Sequence, residues 1–279
     1  MHNHNGHDHS HNGHASNGRA GHSHHGHAPH RSNKKIRVKV RRQDGPEALP
    51  YWQEFEVPYQ RGHNVLSVLM EIRKNPVDIT GTRVEPVVWE SNCLEQVCGA
   101  CSMVVNGKAR QGCTALVDQL EQPITLEPMD KFPIVRDLAV DRTRMFNNLK
   151  KVKAWIEIDG SYDLGQGPRQ NPEDALARYT MSTCMSCGVC LQVCPQFSKD
   201  NNFVGAQTIN QVRLFNSHPT GAYQANERLD AIMGDGGIAD CGNAQNCVEA
   251  CPKKIPLTES IADVGRQATG RLLKKWVGL

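Results

Sequence analysis

The sequence predicts an α+β chain of two domains, a strand-rich β-grasp domain followed by an all-α domain. Three observations carry that reading. Apolar residues recur with period two near the start, they recur at spacings of three and four from about residue 172 onward, and eleven cysteines fall into three runs. One run lies in the strand-rich half and two lie in the helical half.

Ile36, Val38 and Val40 alternate with Arg37, Lys39 and Arg41, the pattern of a half-buried strand, and Phe55 to Val57 repeats it more briefly. Asn64 is a helix cap for the apolar set Val65, Leu66, Val68, Leu69 and Ile72, and Asn75-Pro76 should end that helix. Val87-Val88-Trp89 and Met103-Val104-Val105 return to strand character. Asn106-Gly107 is a hairpin signal, and Ile124-Thr125-Leu126 closes the series. Pro133 to Asp141 loses alternation and reads as a connector, with a domain boundary near residue 143. Asn171-Pro172-Glu173-Asp174 starts a helix with a cap, a first-turn proline and acids at the positive dipole end. Helices are expected near 172–183, 206–216 and 224–233. A last one from about Thr258 carries Ile261, Val264, Ala268, Leu272 and Trp276 as one apolar stripe.

Residues 1–33 are His, Gly, Asn and Ser with almost nothing apolar, and hold eleven of the thirteen histidines. Such a segment buries too little surface to offset its ordering entropy, so it reads as a disordered tail: a loose metal binder, a solubilising extension or an added tag. The domains that follow are 34–143 and 144–279. The formal net charge of +3 comes entirely from residues 1–35, where Arg19, Arg31, Lys34 and Lys35 face Asp8. No global field therefore recommends nucleic acid as a partner. No apolar run approaches the roughly 18 to 20 residues needed to cross a bilayer, and no signal-peptide core is expected at the N-terminus. An odd cysteine count in a chain this long argues against a disulfide framework and for a reducing compartment.

The cysteine spacing carries the chemistry. Cys184-Met-Ser-Cys187-Gly-Val-Cys190-Leu-Gln-Val-Cys194-Pro195 matches the run that bacterial-type ferredoxin domains wrap around iron-sulfur clusters, and its fourth cysteine serves the other cluster of a pair. The partner run, Cys241-Gly-Asn-Ala244-Gln-Asn-Cys247-Val-Glu-Ala-Cys251-Pro252, has Ala244 at its second ligand position. Crossing the fourth cysteines leaves Cys184, Cys187, Cys190 and Cys251 for [4Fe-4S]. Cys194, Cys241 and Cys247 remain, three thiolates that suit [3Fe-4S]. A [4Fe-4S] cluster with a non-cysteine fourth ligand stands as an alternative there, as do structural zinc sites in the helical half. Upstream, Cys93, Cys98 and Cys101 with the distant Cys113 show the plant-type [2Fe-2S] spacing. Gly99 and Ala100 let the backbone approach that cluster, or relieve a tight turn.

Nothing else competes for the chemistry. Gly234-Asp-Gly-Gly237 does not follow a strand as a nucleotide fingerprint must, and His63 and His218 are isolated. Met185, Phe197, Phe215 and Trp276 read as packing. Arg266, Arg271, Lys274 and Lys275 read as a solvated face, with anionic lipid or an acidic partner as the other reading.

A plant-type domain followed by a bacterial-type domain short of one cysteine resembles the iron-sulfur subunit of succinate dehydrogenase and fumarate reductase, respiratory complex II, over about residues 34–279. Further likeness lies in Cys98-Gly-Ala-Cys-Ser-Met-Val-Val-Asn-Gly107 and Arg136-Asp137-Leu138. The resemblance implies electron relay from FAD on a flavoprotein subunit, where succinate is oxidised, through [2Fe-2S], [4Fe-4S] and [3Fe-4S], to haem or quinone on a membrane anchor. The same architecture run backwards reduces fumarate. Ubiquinone-type members carry a tryptophan shortly after the Cys-Pro and a histidine after the first cysteine of the last run. Here those places hold Gln196-Phe197-Ser198-Lys199 and Gly242. The detailed likeness, as in Val212-Arg213-Leu214-Phe215-Asn216 and His218-Pro219-Thr220-Gly221, is to the menaquinone-linked, Bacillus-like branch. It implies a di-haem cytochrome b anchor, haem b and menaquinone on partners, and a peripheral place on the cytoplasmic face of the bacterial cell membrane. A soluble multi-cluster ferredoxin is the competing function, and native purification without partner subunits would favour it.

Overall fold

The computed structural model describes residues 34–157 and 169–278, so the expectations for the His-rich tail lie outside the described residues. The strand-rich half is a five-stranded sheet in the order β2-β1-β5-β3-β4. β1 (Lys35–Arg42) pairs antiparallel with β2 (Tyr51–Pro58) and parallel with β5 (Ile124–Glu127). β3 (Ser102–Val105) lies between β5 and β4 (Lys108–Gln111), and the Asn106-Gly107 turn joins β3 to β4 with positive φ at both residues. Ile36, Val38 and Val40 point inward and are buried. The charged residues between them point outward, where Arg37 meets Glu54 at 3.1 Å and Lys35 meets Glu56. α1 (Val65–Lys74) is capped by Asn64 and buries its five apolar positions in the same core as the sheet. Alternation in the strands and a single helical stripe are enough to build this half.

One expected strand is absent. Val87-Val88-Trp89 joins no sheet: the Val88 main chain is held by the Asp137 side chain and the Leu138 backbone in place of a ladder, and Arg42 holds the two carbonyls just before the triplet. Val88 N–H donates to Asp137 Oδ2 at 2.9 Å, Leu138 N–H donates to Val88 O at 3.1 Å, and Arg42 donates to Glu85 O at 3.1 Å. Arg42 and Asp137 are themselves paired, Nε to Oδ1 at 2.8 Å, with both side chains buried. The expected connector after Pro133 contains a small hairpin, β6 (Ile134–Arg136) and β7 (Ala139–Val140).

The helical half contains α2 (Thr143–Lys151), α3 (Pro172–Ser182), α4 (Val189–Gln192), α5 (Gly205–Ser217), α6 (Ala225–Ile232), α7 (Asn246–Ala250) and α8 (Leu257–Trp276). Periodicity finds α3, α5, α6 and α8 near their expected bounds; α2 is not among the expected helices, and α4 and α7 are single turns lying within cysteine runs. On α8 the stripe buries Val264 and Ala268, but Leu272 and Trp276 are exposed, which departs from the expected apolar contact. The neighbouring α6 offers the last turns an acid, Asp230, rather than apolar surface.

The two cores interlock. Met129, Phe132 and Val140, all N-terminal to the expected boundary, belong to the apolar cluster of the helical half. The Phe132 and Phe197 rings lie with centroids 5.5 Å apart. Asp130 accepts from Gln192 Nε2 at 2.7 Å, Lys131 N–H donates to Gln192 Oε1 at 3.2 Å, and Lys131 Nζ donates to the Cys194 carbonyl.

Candidate iron-sulfur sites

The first cysteine loop leads into β3 and turns through residues in the left-handed region, Leu94 (φ 62°), Gln96 (φ 59°) and Gly99 (φ 73°). Non-glycine residues adopt that region at a cost and concentrate where function demands it. Here the turns aim backbone N–H groups at sulfur. Cys93 Sγ accepts from Glu95 N–H at 3.5 Å and from Val97 and Cys98 N–H, both at 3.3 Å; Cys98 Sγ accepts from Ala100 N–H at 3.4 Å. The donors from Glu95, Val97 and Cys98 hold the Cys93 thiol down at about 7. Cys101, buried beside Cys113, is instead pushed up to about 11, chiefly by burial. Cys113 is fixed by Asn64, whose Nδ2 donates to its carbonyl at 2.9 Å.

The helical half divides its seven cysteines between two hollows. Cys184, Cys187, Cys190 and Cys251 line one, so the last cysteine of the second run stands with the first three of the other. Cys194, Cys241 and Cys247 line the second, with Ala244, Gln196 and Gly242. Left-handed Ser186 and Gly188 shape the first loop, and left-handed Asn243 and Gln245 shape the second. Burial raises Cys184, Cys190 and Cys247 and brings Cys187 to about 11. Clustered buried thiols of this kind ionise readily only against bound cations, so the donor set fits iron-sulfur clusters. Among the described residues no group of three His, Cys, Asp or Glu is arranged to hold one metal ion; the cysteines stand around hollows instead of closing on a point.

Some supporting groups escaped the sequence analysis. Arg142 Nη1 donates to Gly99 O at 2.9 Å and its Nη2 to Glu90 at 2.6 Å. Gln207, fully buried on α5, lines the four-cysteine hollow and donates to Ser186 Oγ at 3.1 Å. Asn210 links Met181 O at 3.2 Å to Ser260 at 3.0 Å, tying the end of α3 to α5 and α8. Polar residues on the otherwise apolar inner face of α5 were the available signal. Neither His63 nor His218 lines either hollow of the helical half, and His218 Nδ1 accepts from Thr220 N–H at 3.2 Å.

Residues 37–147 match the 2Fe-2S iron-sulfur cluster binding domain, and residues 180–255 match the 4Fe-4S dicluster domain. The succinate dehydrogenase iron-sulfur subunit of Bacillus subtilis is 58% identical over 245 residues, 88% of this chain and 97% of that one. The chain belongs to the family of succinate dehydrogenase/fumarate reductase iron-sulfur subunits. It is an electron-transfer subunit of a complex of that type, and the catalytic step lies on a different subunit. Fumarate reductase iron-sulfur subunits of Mycobacterium tuberculosis and Wolinella succinogenes are 31% and 28% identical, covering 82% and 84% of this subunit and 90% and 97% of their own lengths. A chain of the Mycobacterium smegmatis Sdh1 complex in the apo form shares the fold, with a TM-score of 0.68 at 21% identity over 85% of this subunit and 96% of that chain. No described helix of the subunit is long and apolar enough to cross a membrane.

Proposed function

We propose that the subunit serves a succinate:quinone oxidoreductase, relaying single electrons from the FAD of a flavoprotein partner to the haem or quinone of a membrane anchor. The observation that carries this reading is the partition of the helical half's cysteines, four around one hollow and three plus Ala244 around the other. Cys93, Cys98, Cys101 and Cys113 would hold [2Fe-2S]; Cys184, Cys187, Cys190 and Cys251 [4Fe-4S]; and Cys194, Cys241 and Cys247 [3Fe-4S]. Bound clusters supply one-electron redox chemistry. The chain's own residues fix the order and spacing of the sites, donate N–H groups to sulfur and exclude water.

Succinate oxidation is favoured over fumarate reduction by the 58% identity to a succinate dehydrogenase subunit, against 28 to 31% for the fumarate reductase subunits above. A menaquinone-linked di-haem cytochrome b is the anchor this reading implies, which would hold the subunit to the cytoplasmic face of the cell membrane. The space at Gly242 supports it: a Cβ there would lie 2.2 Å from Gln196 Nε2, so Gln196 covers the place where ubiquinone-type relatives carry histidine. The domains would divide as 34–143 and 144–279.

The test is EPR with redox titration on the complex purified anaerobically. Three distinct paramagnetic centres are expected, together with a co-purifying flavoprotein and haem. Zinc in place of iron, or fewer than three centres, overturns the reading. Ala244→Cys adds a fourth thiolate at the three-cysteine hollow and is expected to convert its [3Fe-4S] signal toward that of [4Fe-4S]; an unchanged signal counts against the role given to Ala244.

A further inference from the structure

The first cysteine loop meets the second at Gly99. A Cβ on Gly99 would lie 2.8 Å from both Cα and Cβ of Cys187 and 3.0 Å from the Met185 carbonyl, closer than real side chains come. Gly99 directly follows Cys98, and Cys187 lines the four-cysteine hollow. The main chain of one cysteine loop therefore rests on a cysteine of the next with no side chain between them. Its carbonyl is gripped twice, by Ser102 Oγ at 2.8 Å and Arg142 Nη1 at 2.9 Å, while Arg142 Nη2 reaches Ala100 O at 3.3 Å. Arg142 immediately precedes α2, whose Met145 is buried in the helical core, so a side chain rooted beside that core holds the loop of the strand-rich half.

The positive φ does not by itself require glycine. Leu94 and Gln96 hold φ of 62° and 59° in the same loop with full side chains, and asparagine tolerates the region well. What excludes a side chain at residue 99 is the nearness of Cys187.

Resting on the relay proposed above, we propose that Gly99 is a positioning residue that sets the gap between the first and second centres, and that the electron crosses from the Cys98-Gly99 main chain to Cys187. The step moves one electron. Cys93, Cys98, Cys101 and Cys113 would hold the iron that gives up the electron, Cys184, Cys187, Cys190 and Cys251 would hold the iron that takes it up, and no bond or proton would change place. The reductant is the reduced flavin of the partner. Electron tunnelling weakens exponentially with the gap, so a side chain wedged at Gly99 slows this step without altering either centre's own ligands.

The experiment compares wild type, Gly99→Ala, Gly99→Asn and Arg142→Gln in the assembled complex. The first readout is the spin count of each cluster; if the wild type lacks the two centres, the relay reading fails and this proposal falls with it. The second is the relaxation enhancement of the reduced [2Fe-2S] signal by the reduced [4Fe-4S] cluster, which drops steeply with distance. The third is the freeze-quench rate of transfer between them. Both Gly99 variants are expected to keep their clusters, to lose relaxation enhancement and to transfer several-fold more slowly. Arg142→Gln, which adds no bulk, is expected to do the same to a smaller degree. Wild-type coupling and rate in Gly99→Asn would reduce Gly99 to a matter of backbone conformation and overturn the proposal. If neither Gly99 variant assembles, Arg142→Gln decides, and unchanged coupling and rate there also overturn it.

Discussion

Asn64 divides one carboxamide between two tasks. Its Oδ1 accepts from Ser67 N–H at 2.9 Å, capping α1, and its Nδ2 donates to the Cys113 carbonyl at 2.9 Å. The cap is worth about 1 kcal/mol and the second hydrogen bond a similar amount. Asn64→Asp keeps the cap but turns an oxygen toward the Cys113 carbonyl, whereas Asn64→Ala loses both. The expected outcome is a fall of about 2 kcal/mol in stability for the alanine variant, read by thermal melting. The aspartate variant should lose about half of that, about 1 kcal/mol, and show a reduced [2Fe-2S] spin count. Equal spin counts in aspartate variant and wild type would show that the bond to Cys113 is not what holds the fourth cysteine. At this scale the cysteines and the Asn64 cap were legible in the sequence, because their meaning lies in spacings of a few residues. Arg142 was not, since its partners Gly99 and Ala100 lie more than forty positions away and nothing local marks an arginine as a clamp.

Helices follow the same division between pattern and neighbour. The stripe on α8 is real as a pattern, but only its first half finds an apolar cover, and Leu272 and Trp276 stand 61% and 85% exposed. Periodicity reports which face a helix offers and is silent on what lies opposite. What lies opposite the last turns is Asp230 of α6, bonded to Arg271 Nε at 3.0 Å and to Lys275 at 2.8 Å. These two partners, Arg271 first, lower the Asp230 carboxyl from 3.8 to about 2. A carboxylate depressed in the folded state stabilises above its ordinary value, and that contribution is lost as pH falls from about 4 toward 2. The side chains are part-exposed, so the stabilisation is modest, at most about 1 kcal/mol. Asp230→Asn at neutral pH should therefore loosen residues 271–278 without lowering the global melting temperature appreciably. Hydrogen exchange is the measurement, and protection of that segment equal to wild type would remove the tether from the account. Val87-Val88-Trp89 makes the complementary point: a β-prone triplet stays out of the sheet where Asp137, buried and paired with the distant Arg42, takes the Val88 N–H while Arg42 holds the carbonyls of Glu85 and Pro86 just before it.

The whole subunit depends on the seam between its two cores. Met129 and Phe132 leave the strand-rich half and are buried in the helical cluster, a crossing that strand and helix patterns do not reveal because it is made by a loop. Phe132 is 1% exposed and packs against Phe197, and its ring tip would lie 3.1 Å from a Cβ placed on Gly188, in the loop between Cys187 and Cys190. One ring thus joins the sheet domain, the helical core and the second cysteine loop. Truncating a buried phenylalanine to alanine costs about 3 to 5 kcal/mol, through lost apolar transfer and the cavity left behind. Phe132→Ala concentrates that loss at the seam, and the apolar cluster holding α1 and the sheet does not contain the ring. The helical half should then melt ahead of the strand-rich half, splitting one transition into two, with iron lost from the Cys184–Cys190 loop at the lower one. Phe132→Leu, which refills most of the volume, should restore a single transition. Calorimetry followed in parallel with the visible absorption of the clusters reads both events. A Phe132→Ala subunit that still melts in one step, with all cluster absorption lost together, would mean that the halves are coupled through Gly99, Arg142 and the Lys131 contacts strongly enough that the aromatic crossing is dispensable.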